Sequence, residues 1–301
     1  MENTETGIFE LCMKDGGPLR VALFTDLHYN GTAPFSAALT NYYIRKNVRK
    51  LKPGLAAVLG DTAIKPDNRE RTRAFTRAMD ALGTPWTAIL GNHEGEDDRD
   101  LPRREVLEYY KASENFLGNA ELPGVTGHGN QAIAVINEEG KPAQLLYFLD
   151  SGCGRKGHSY IQPDQLDWMA RAASGYPDTP GMVFLHVPTR QYQAAYEAWQ
   201  RGGAELLHGA WHEKICSAGT EEQSEALVET AKELGVWAFV CGHDHYNNFD
   251  ILWRGMRYIY AQGSGYSLRV YGIRPQRIRG CTTLDIQPDG QVALAQHFNL
   301  N

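Results

Sequence analysis

Apolar residues along the chain fall into short solid runs and longer periodic ones, and the two kinds alternate. LRVALFT (19–25), LAAVLG (55–60) and WTAIL (86–90) are mostly apolar and of strand length. Between them, TNYYIRKNVRKL (40–51) and NRERTRAFTRAMDAL (68–82) read as helices, and Phe75, Met79 and Leu82 share one face at helical spacing. Solid apolar strands alternating with amphipathic helices predict parallel strands covered on both faces.

The middle of the chain changes style. QAIAVIN (131–137) and AQLLYFLD (143–150) read as antiparallel neighbours joined around EEGKP. A helix is expected at PDQLDWMARAAS (163–174), then a strand at GMVFLHVP (181–188). Residues 189–222, of mixed composition and holding Gly202, Gly203, Gly209 and Gly219, read as an inserted subdomain or lid. A helix (222–234), the strand VWAFVCG (236–242) and a tail of meandering strands around turn signals complete the pattern. No repeat and no Pro- or Ser-rich linker divides the chain, so one domain over residues 1–301 is expected.

Five of the strands run into polar residues at their carboxyl ends. The first leads to Asp26 and His28, the next to Asp61, the third to Asn92 and His93. GMVFL leads to His186, and VWAFVCG to His243, Asp244 and His245. In α/β sheets, sites form outside the carboxyl ends of strands, so these clusters are placed to converge. Asp, His and Asn are hard or borderline ligands suited to Zn, Mn or Fe. Seven of them, Asp26, His28, Asp61, Asn92, His186, His243 and His245, suffice for two metals sharing a carboxylate. Paired metals roughly 3.5–4 Å apart hold a bridging hydroxide and clamp attacking and leaving oxygens, which is phosphate-ester chemistry.

Composition narrows the picture. At 42% hydrophobic and 22% charged over 301 residues, the chain has ordinary globular makeup. Its formal charge of −6 disfavours a long nucleic-acid footprint and weighs against a surface that recruits anionic lipid. No apolar run reaches the roughly 18 residues of a membrane span. The acidic start, MENTETGIFELCMKDGG, does not read as a signal peptide. Five scattered cysteines (Cys12, Cys153, Cys216, Cys241, Cys281) form no CxxC pair, which fits reduced thiols and a cytoplasmic protein.

The ordered set DLH, GD, GNHE, LH and GHDH, spanning residues 26–245, resembles the calcineurin-like metallophosphoesterase superfamily. The resemblance implies an α/β fold, a four-layer α/β/β/α sandwich of two mixed sheets flanked by helices. It implies that Asp26, His28, Asp61 and His245 hold one metal, and Asp61, Asn92, His186 and His243 the other, with Asp61 bridging. Asn92 would bind through its carbonyl oxygen. His93 would stand beside the metals, contact phosphate and act as general acid, a task its near-neutral pKa suits.

LYFLDSG, FLHVP, GHDHYNNF and YAQGSGY look like the intracellular branch similar to purple acid phosphatases. The true purple enzymes use D-x-G and a Tyr after their GD; here His28 and Ala63-Ile64 stand at those places. The expectation is therefore a metal-dependent phosphoesterase acting on a phosphorylated small molecule as a monoesterase, with two divalent or transition metal ions. The alternatives are a phosphodiesterase or nuclease on the same site, or a non-catalytic metal-binding scaffold.

Other residues carry weaker signals. Tyr192, Tyr196, Trp199, Trp211, His208 and His212 either line a substrate pocket or pack the insertion. Arg269, Arg274, Arg277 and Arg279 read as a solvated basic loop, with phosphate binding as the other reading. Glu94 reads as a solvated helix-start carboxylate, with orientation of a neighbour as the other reading. Arg155, Lys156 and His158 read as a rim, and Cys153 lacks an activating partner.

Overall fold

The computed structural model describes residues 2–3, 6–29, 34–64, 68–96, 99–152, 160–266 and 277–299. Two mixed sheets pack face to face, and among the described residues six helices cover their outer sides. The small sheet is built on β3 (Leu19–Phe24), β4 (Leu55–Leu59) and β5 (Trp86–Ile89), which run parallel. The hairpin of β13 (Gly280–Ile286) and β14 (Val292–Phe298) adds antiparallel to the free side of β3.

The large sheet has nine strands. At its centre β7 (Pro142–Phe148), β8 (Gly181–Phe184), β10 (Val236–Cys241) and β12 (Met256–Tyr260) lie parallel in that order. Antiparallel to β7 is β6 (Gln131–Ile136), as the sequence pattern anticipates, and β2 (Ile8–Cys12) pairs parallel to β6. The two-residue β1 (Glu2–Asn3) closes that edge. On the other side β11 (Asp250–Trp253) and β9 (Glu205–His208) complete the sheet.

Side-chain alternation along the strands builds three cores. On β3, Val21 and Leu23 face the large sheet, whereas Ala22 and Phe24 face the helices. Between the sheets, Leu55, the small Ala57 and Leu59 of β4 share a core with Leu146, Phe148, Met182 and Phe184. Outside the small sheet lie α1 (Pro34–Leu51), α2 (Arg69–Asp80) and α3 (Arg103–Tyr110), with Ile44, Phe75, Met79 and Tyr110 buried. Outside the large sheet lie α4 (Pro163–Ser174), α5 (Arg190–Gln200) and α6 (Glu221–Glu233). The expected four-layer α/β/β/α sandwich is the observed fold.

Local signals explain the helix starts. Thr220 caps α6 by accepting from Gln223 N, and Gln223 returns the bond in a capping box. In α4 a Pro stands at the first turn and Gln165 Oε1 accepts from Gln162 N. Helix α1 begins at Pro34 rather than at Thr40, where its sequence pattern starts, and no pattern in the sequence marks β2 or α3. Within 189–222, α5 packs on β11 and β12, and β9 pairs with β11. The tail strands do not form a single meander: β12 joins the large sheet and β13–β14 the small one.

Phe148 and Phe184 stack between the sheets with centroids 4.6 Å apart. Phe184→Ala should destabilise the protein by about 3–5 kcal/mol, the usual loss for a buried Phe truncated to Ala. Urea unfolding should show a lower midpoint at unchanged slope, because the loss comes from a cavity rather than from altered compactness.

Candidate metal centre

The loop after β3 is laid along the loop after β4. Asp26 N donates to Gly60 O (3.2 Å), His28 N to Asp61 O (2.9 Å) and Tyr29 N to Thr62 O (2.7 Å). This pairing holds the chain in unusual backbone states. Asp26, His28, Asp61 and His243 have φ of 55°, 50°, 52° and 75°. A non-glycine residue held there costs about 1–3 kcal/mol and persists only where its surroundings enforce it. Glycine permits the closest approaches: a Cβ on Gly91 would lie 2.1 Å from Asp61 Oδ1, and one on Gly242 2.0 Å from Thr25 Oγ1.

All five strand ends meet at the top of the sandwich. Asp26, His28, Asp61 and His245 each offer one ligand-type atom, and these atoms lie within 4.8 Å of one another. Asp61, His186 and His243 form a second such group, so Asp61 belongs to both. Asn92 Oδ1 lies 3.1 Å from His186 Nε2, which puts it beside the second group.

The two carboxylates are half satisfied. Asp26 Oδ2 accepts from Thr25 Oγ1 (2.8 Å) and His243 N (3.1 Å), but buried Oδ1 has no hydrogen-bond partner. Asp61 Oδ1 accepts from His93 N (3.0 Å), and buried Oδ2 has none. Instead, Oδ2 faces His186 Nε2 at 3.2 Å, His28 Nε2 at 3.8 Å and His93 Nε2 at 3.9 Å. An ionised carboxylate oxygen buried without a hydrogen bond needs a cation beside it. The donor set of carboxylate oxygen and imidazole nitrogen suits Zn, Mn or Fe. The residues present fit metal ions, and their division into two groups sharing Asp61 supports two.

Charge couples the groups. Burial pushes the Asp61 carboxyl up, but the charge of His186 close to Oδ2, with those of His28 and His93, outweighs it and holds the acid well below its ordinary range. Burial acts the same way on Asp26, and His28, His245 and His186 together hold that acid low. Burial pulls His186 down, yet Asp61 and Asp26 raise it to about 10. Its Nδ1 donates to Leu59 O at 2.7 Å, which leaves Nε2 for the cluster. His245 drops to about 4 through burial, with His28 and Arg279 adding to the effect and Asp26 opposing it.

His93 is placed differently from the buried His28 and His186. Its side chain is 36% exposed, Nδ1 lies 2.5 Å from Glu96 Oε2, and Nε2 faces the cluster. Burial lowers its pKa, and the charges of Asp61 and Glu96 more than compensate, leaving it raised. Glu96 carries no signal in the sequence beyond standing three residues after His93.

Glu94 is a correction. It is buried and begins no helix, since α3 starts at Arg103. One carboxylate oxygen accepts from Thr62 N (2.6 Å) and Thr62 Oγ1 (2.8 Å), the other from Gly91 N (2.7 Å) and Asp61 N (3.1 Å). The backbone N–H groups of the GD loop have no strand partners, and Glu94 supplies them. Arg103 is a supporting residue that the sequence does not announce. It donates to Gly91 O (2.6 Å) and Glu94 O (2.7 Å) and pairs with buried Asp150 (2.5 Å), which fixes the loop carrying Asn92 and His93.

Arg279 is a second correction: it is 1% exposed rather than solvated, and donates from Nη1 to His245 O at 2.8 Å. Arg277 is exposed. Arg269, Arg274, Arg155, Lys156, His158 and Cys153 lie outside the described residues. Of the aromatics, Tyr192 is core, and Tyr196 and Trp199 pack against that core. Trp211 stacks on Tyr196 at 5.2 Å. His208 pairs within the sheet, and His212 N donates to Asn247 Oδ1. None of these joins the metal-type groups.

Comparison with known proteins gives a consistent picture. The family model described as calcineurin-like phosphoesterase matches residues 19–247. Probable inactive purple acid phosphatase 14 of Arabidopsis thaliana is 25% identical, covering 85% of this chain and 73% of that protein. Probable inactive purple acid phosphatase 28 of the same plant is 24% identical over 75% of this chain, which spans 62% of it. A crystal structure of a dimetal phosphatase from Danio rerio superposes with a TM-score of 0.62 at 14% identity, over 93% of this chain and 96% of that one.

Glu94→Ala should cost about 2–5 kcal/mol, because several buried donors lose a charged acceptor at once. Glu94→Gln should recover only part, since an amide accepts at one oxygen and presents N–H groups at the other end. Chemical denaturation of the metal-free proteins measures both, and a wild-type midpoint in Glu94→Ala would contradict this account.

Proposed function

The chain belongs to the calcineurin-like phosphoesterase family, and from that premise we propose that it is a dinuclear metal-dependent phosphomonoesterase. In this reading Asp26, His28, Asp61 and His245 hold one ion, and Asp61, Asn92, His186 and His243 hold the other. The observation that carries it is the pair of buried, unpartnered oxygens, Asp26 Oδ1 and Asp61 Oδ2, facing imidazole nitrogens. Bound ions of this kind act as Lewis acids toward phosphoryl oxygens and bring the pKa of water to about 7.

The chain's own residues do the rest. Asp26 and Asp61, ionised across the neutral range, keep the negative charge that fixes the ions in place. His186 is oriented by the Leu59 carbonyl. His93 is oriented by Glu96, so that Nδ1–H points to the carboxylate and Nε2 to the reacting phosphate. Its raised pKa keeps the Nε2 proton available near neutral pH for the departing alkoxide. In this reading the substrate is a phosphorylated small molecule.

The plant relatives' names favour a second reading, a scaffold that binds metal without turning over. Metal-loaded protein assayed on aryl phosphate, alkyl phosphate and phosphodiester substrates separates the two. His93→Ala should retain its metals and lose about 10²–10⁴-fold in kcat on alkyl phosphate, the range of general acid catalysis. Aryl phosphate, whose leaving group needs no proton, should lose less. Fully loaded wild type inert on every ester would favour the scaffold.

Metal uptake should also release protons. With a pKa of about 10, His186 is an imidazolium in metal-free protein at neutral pH, and it must shed its Nε2 proton to bind. Asp26 and Asp61 are already ionised there and contribute none. Apparent affinity should therefore climb roughly tenfold per pH unit from neutrality and level off near the His186 pKa. Zinc titration with an indicator dye should show about one proton released per chain at about pH 8. Affinity independent of pH between about 7 and 9 would show that His186 is already neutral in the metal-free protein.

A further inference from the structure

Helix α1 turns a face to solvent that differs from the rest of the surface. Along one side, at steps of three and four residues, lie Phe35, Leu39 and Tyr42. The same line continues into Arg45, Lys46, Arg49 and Lys50, all exposed. Phe35 is 90% exposed and Tyr42 57%; among the described residues, Trp211 is the other large hydrophobic exposed outside this helix. The 18 residues of α1 include no acidic side chain, although the chain as a whole carries a charge of −6.

The cations also lack acidic partners. Elsewhere on the surface Arg69, Arg73, Arg104, Lys111 and Arg201 each meet a carboxylate. Among the described residues none of the four α1 cations does, and Lys46 instead sits over the Tyr43 ring at 5.4 Å. From Phe35 to Lys50 the ridge runs about 22 Å, at a rise of about 1.5 Å per residue.

We propose that this ridge docks on an anionic lipid bilayer, with Phe35, Leu39 and Tyr42 entering the headgroup region and the four cations lying among lipid phosphates. Shape favours a plane over a strand-like partner. Among the described residues, the hollow along the ridge is lined by α1 alone, with no second described element placed to clamp a peptide or a nucleic-acid strand. A flat surface, by contrast, meets every residue on one side of a straight helix at once. The apolar end has no use for a phosphodiester backbone and fits an acyl boundary. The net acidity that reads against anionic lipid is a sum over the whole chain. At physiological salt the screening length is about 8 Å, so a bilayer against α1 feels the local cations first.

Sedimentation with vesicles tests this, comparing phosphatidylcholine alone with phosphatidylcholine containing about one third phosphatidylserine. Binding is expected to the mixed vesicles only, and to weaken as salt is raised. The combined variant Arg45→Gln, Lys46→Gln, Arg49→Gln, Lys50→Gln should bind about 100-fold more weakly or worse, given the attraction each juxtamembrane cation contributes. Phe35→Trp should report a blue-shifted indole on the mixed vesicles. All five positions are exposed, so urea midpoints should match wild type and separate lost binding from lost fold. Equal binding to both vesicle types, or an unaffected quadruple variant, would overturn the proposal. So would capture of duplex DNA or polyglutamate by a protein that leaves the vesicles in solution.

Discussion

Two buried carboxylates govern the upper end of this molecule. Asp26 and Asp61 sit where parallel strands of the small sheet end, shielded from water, and each has one oxygen satisfied by the protein and one not. Leaving an ionised oxygen buried is among the costlier things a fold can do. Everything nearby is arranged to make that tolerable. Histidines from four different loops turn ring nitrogens toward the free oxygens. The backbone at Asp26, His28, Asp61 and His243 bends into the left-handed region to deliver them. Gly91 and Gly242 remove side chains that would occupy the same space. The apparent waste, strain plus half-satisfied charge, becomes intelligible once cations complete the cluster.

A second tier of acids holds the first. Glu94 replaces the missing strand partners of the GD loop, and the Arg103–Asp150 pair pins the carbonyls on either side of Asn92 and His93. The loops bearing the ligands are thus fastened to each other as well as to the sheets. The end of the large sheet is secured in the same way. Arg279 holds the His245 carbonyl, while Asp244 accepts from Tyr260 OH and Cys216 N. Geometry at the centre is therefore set by residues that never reach it.

What can be read from the sequence divides along physical lines. Strands such as LAAVL and GMVF are apolar at every position because both faces are covered, and that pattern survives without tertiary information. The ligand-type residues are legible because each follows such a strand. Glu94 is misleading because a carboxylate after a strand looks the same whether it meets water or a set of backbone N–H groups; only the fold brings the GD loop to it. Arg103 and Asp150 are 47 residues apart in sequence and give no local sign of pairing. The division of the tail strands between two sheets is hidden for the same reason. Pairing of β13 with β3 joins segments at opposite ends of the chain, and no local periodicity encodes it. The basic stripe on α1 is diluted by the acidity of everything else.

Exposure bears on whether such a centre is structural or catalytic. A structural metal site closes around its ion, whereas a catalytic one keeps a side open. Here the enclosure is uneven. Asp26, Asp61, His28 and His186 have side chains at most 1% exposed, whereas those of His245 and His93 are 26% and 36% exposed. Asn92 and His243 are likewise only partly buried, and His93 stands on this open rim, outside both metal-type groups and tethered to Glu96. A fold that needed metal only for rigidity would gain nothing from an oriented, partly solvated imidazole at the mouth of its charged cluster. In the catalytic reading proposed above, proton transfer to a leaving group would need one there. The asymmetry of burial, rather than the ligand count, is thus the structural feature that bears on the choice between the catalytic and the scaffold reading.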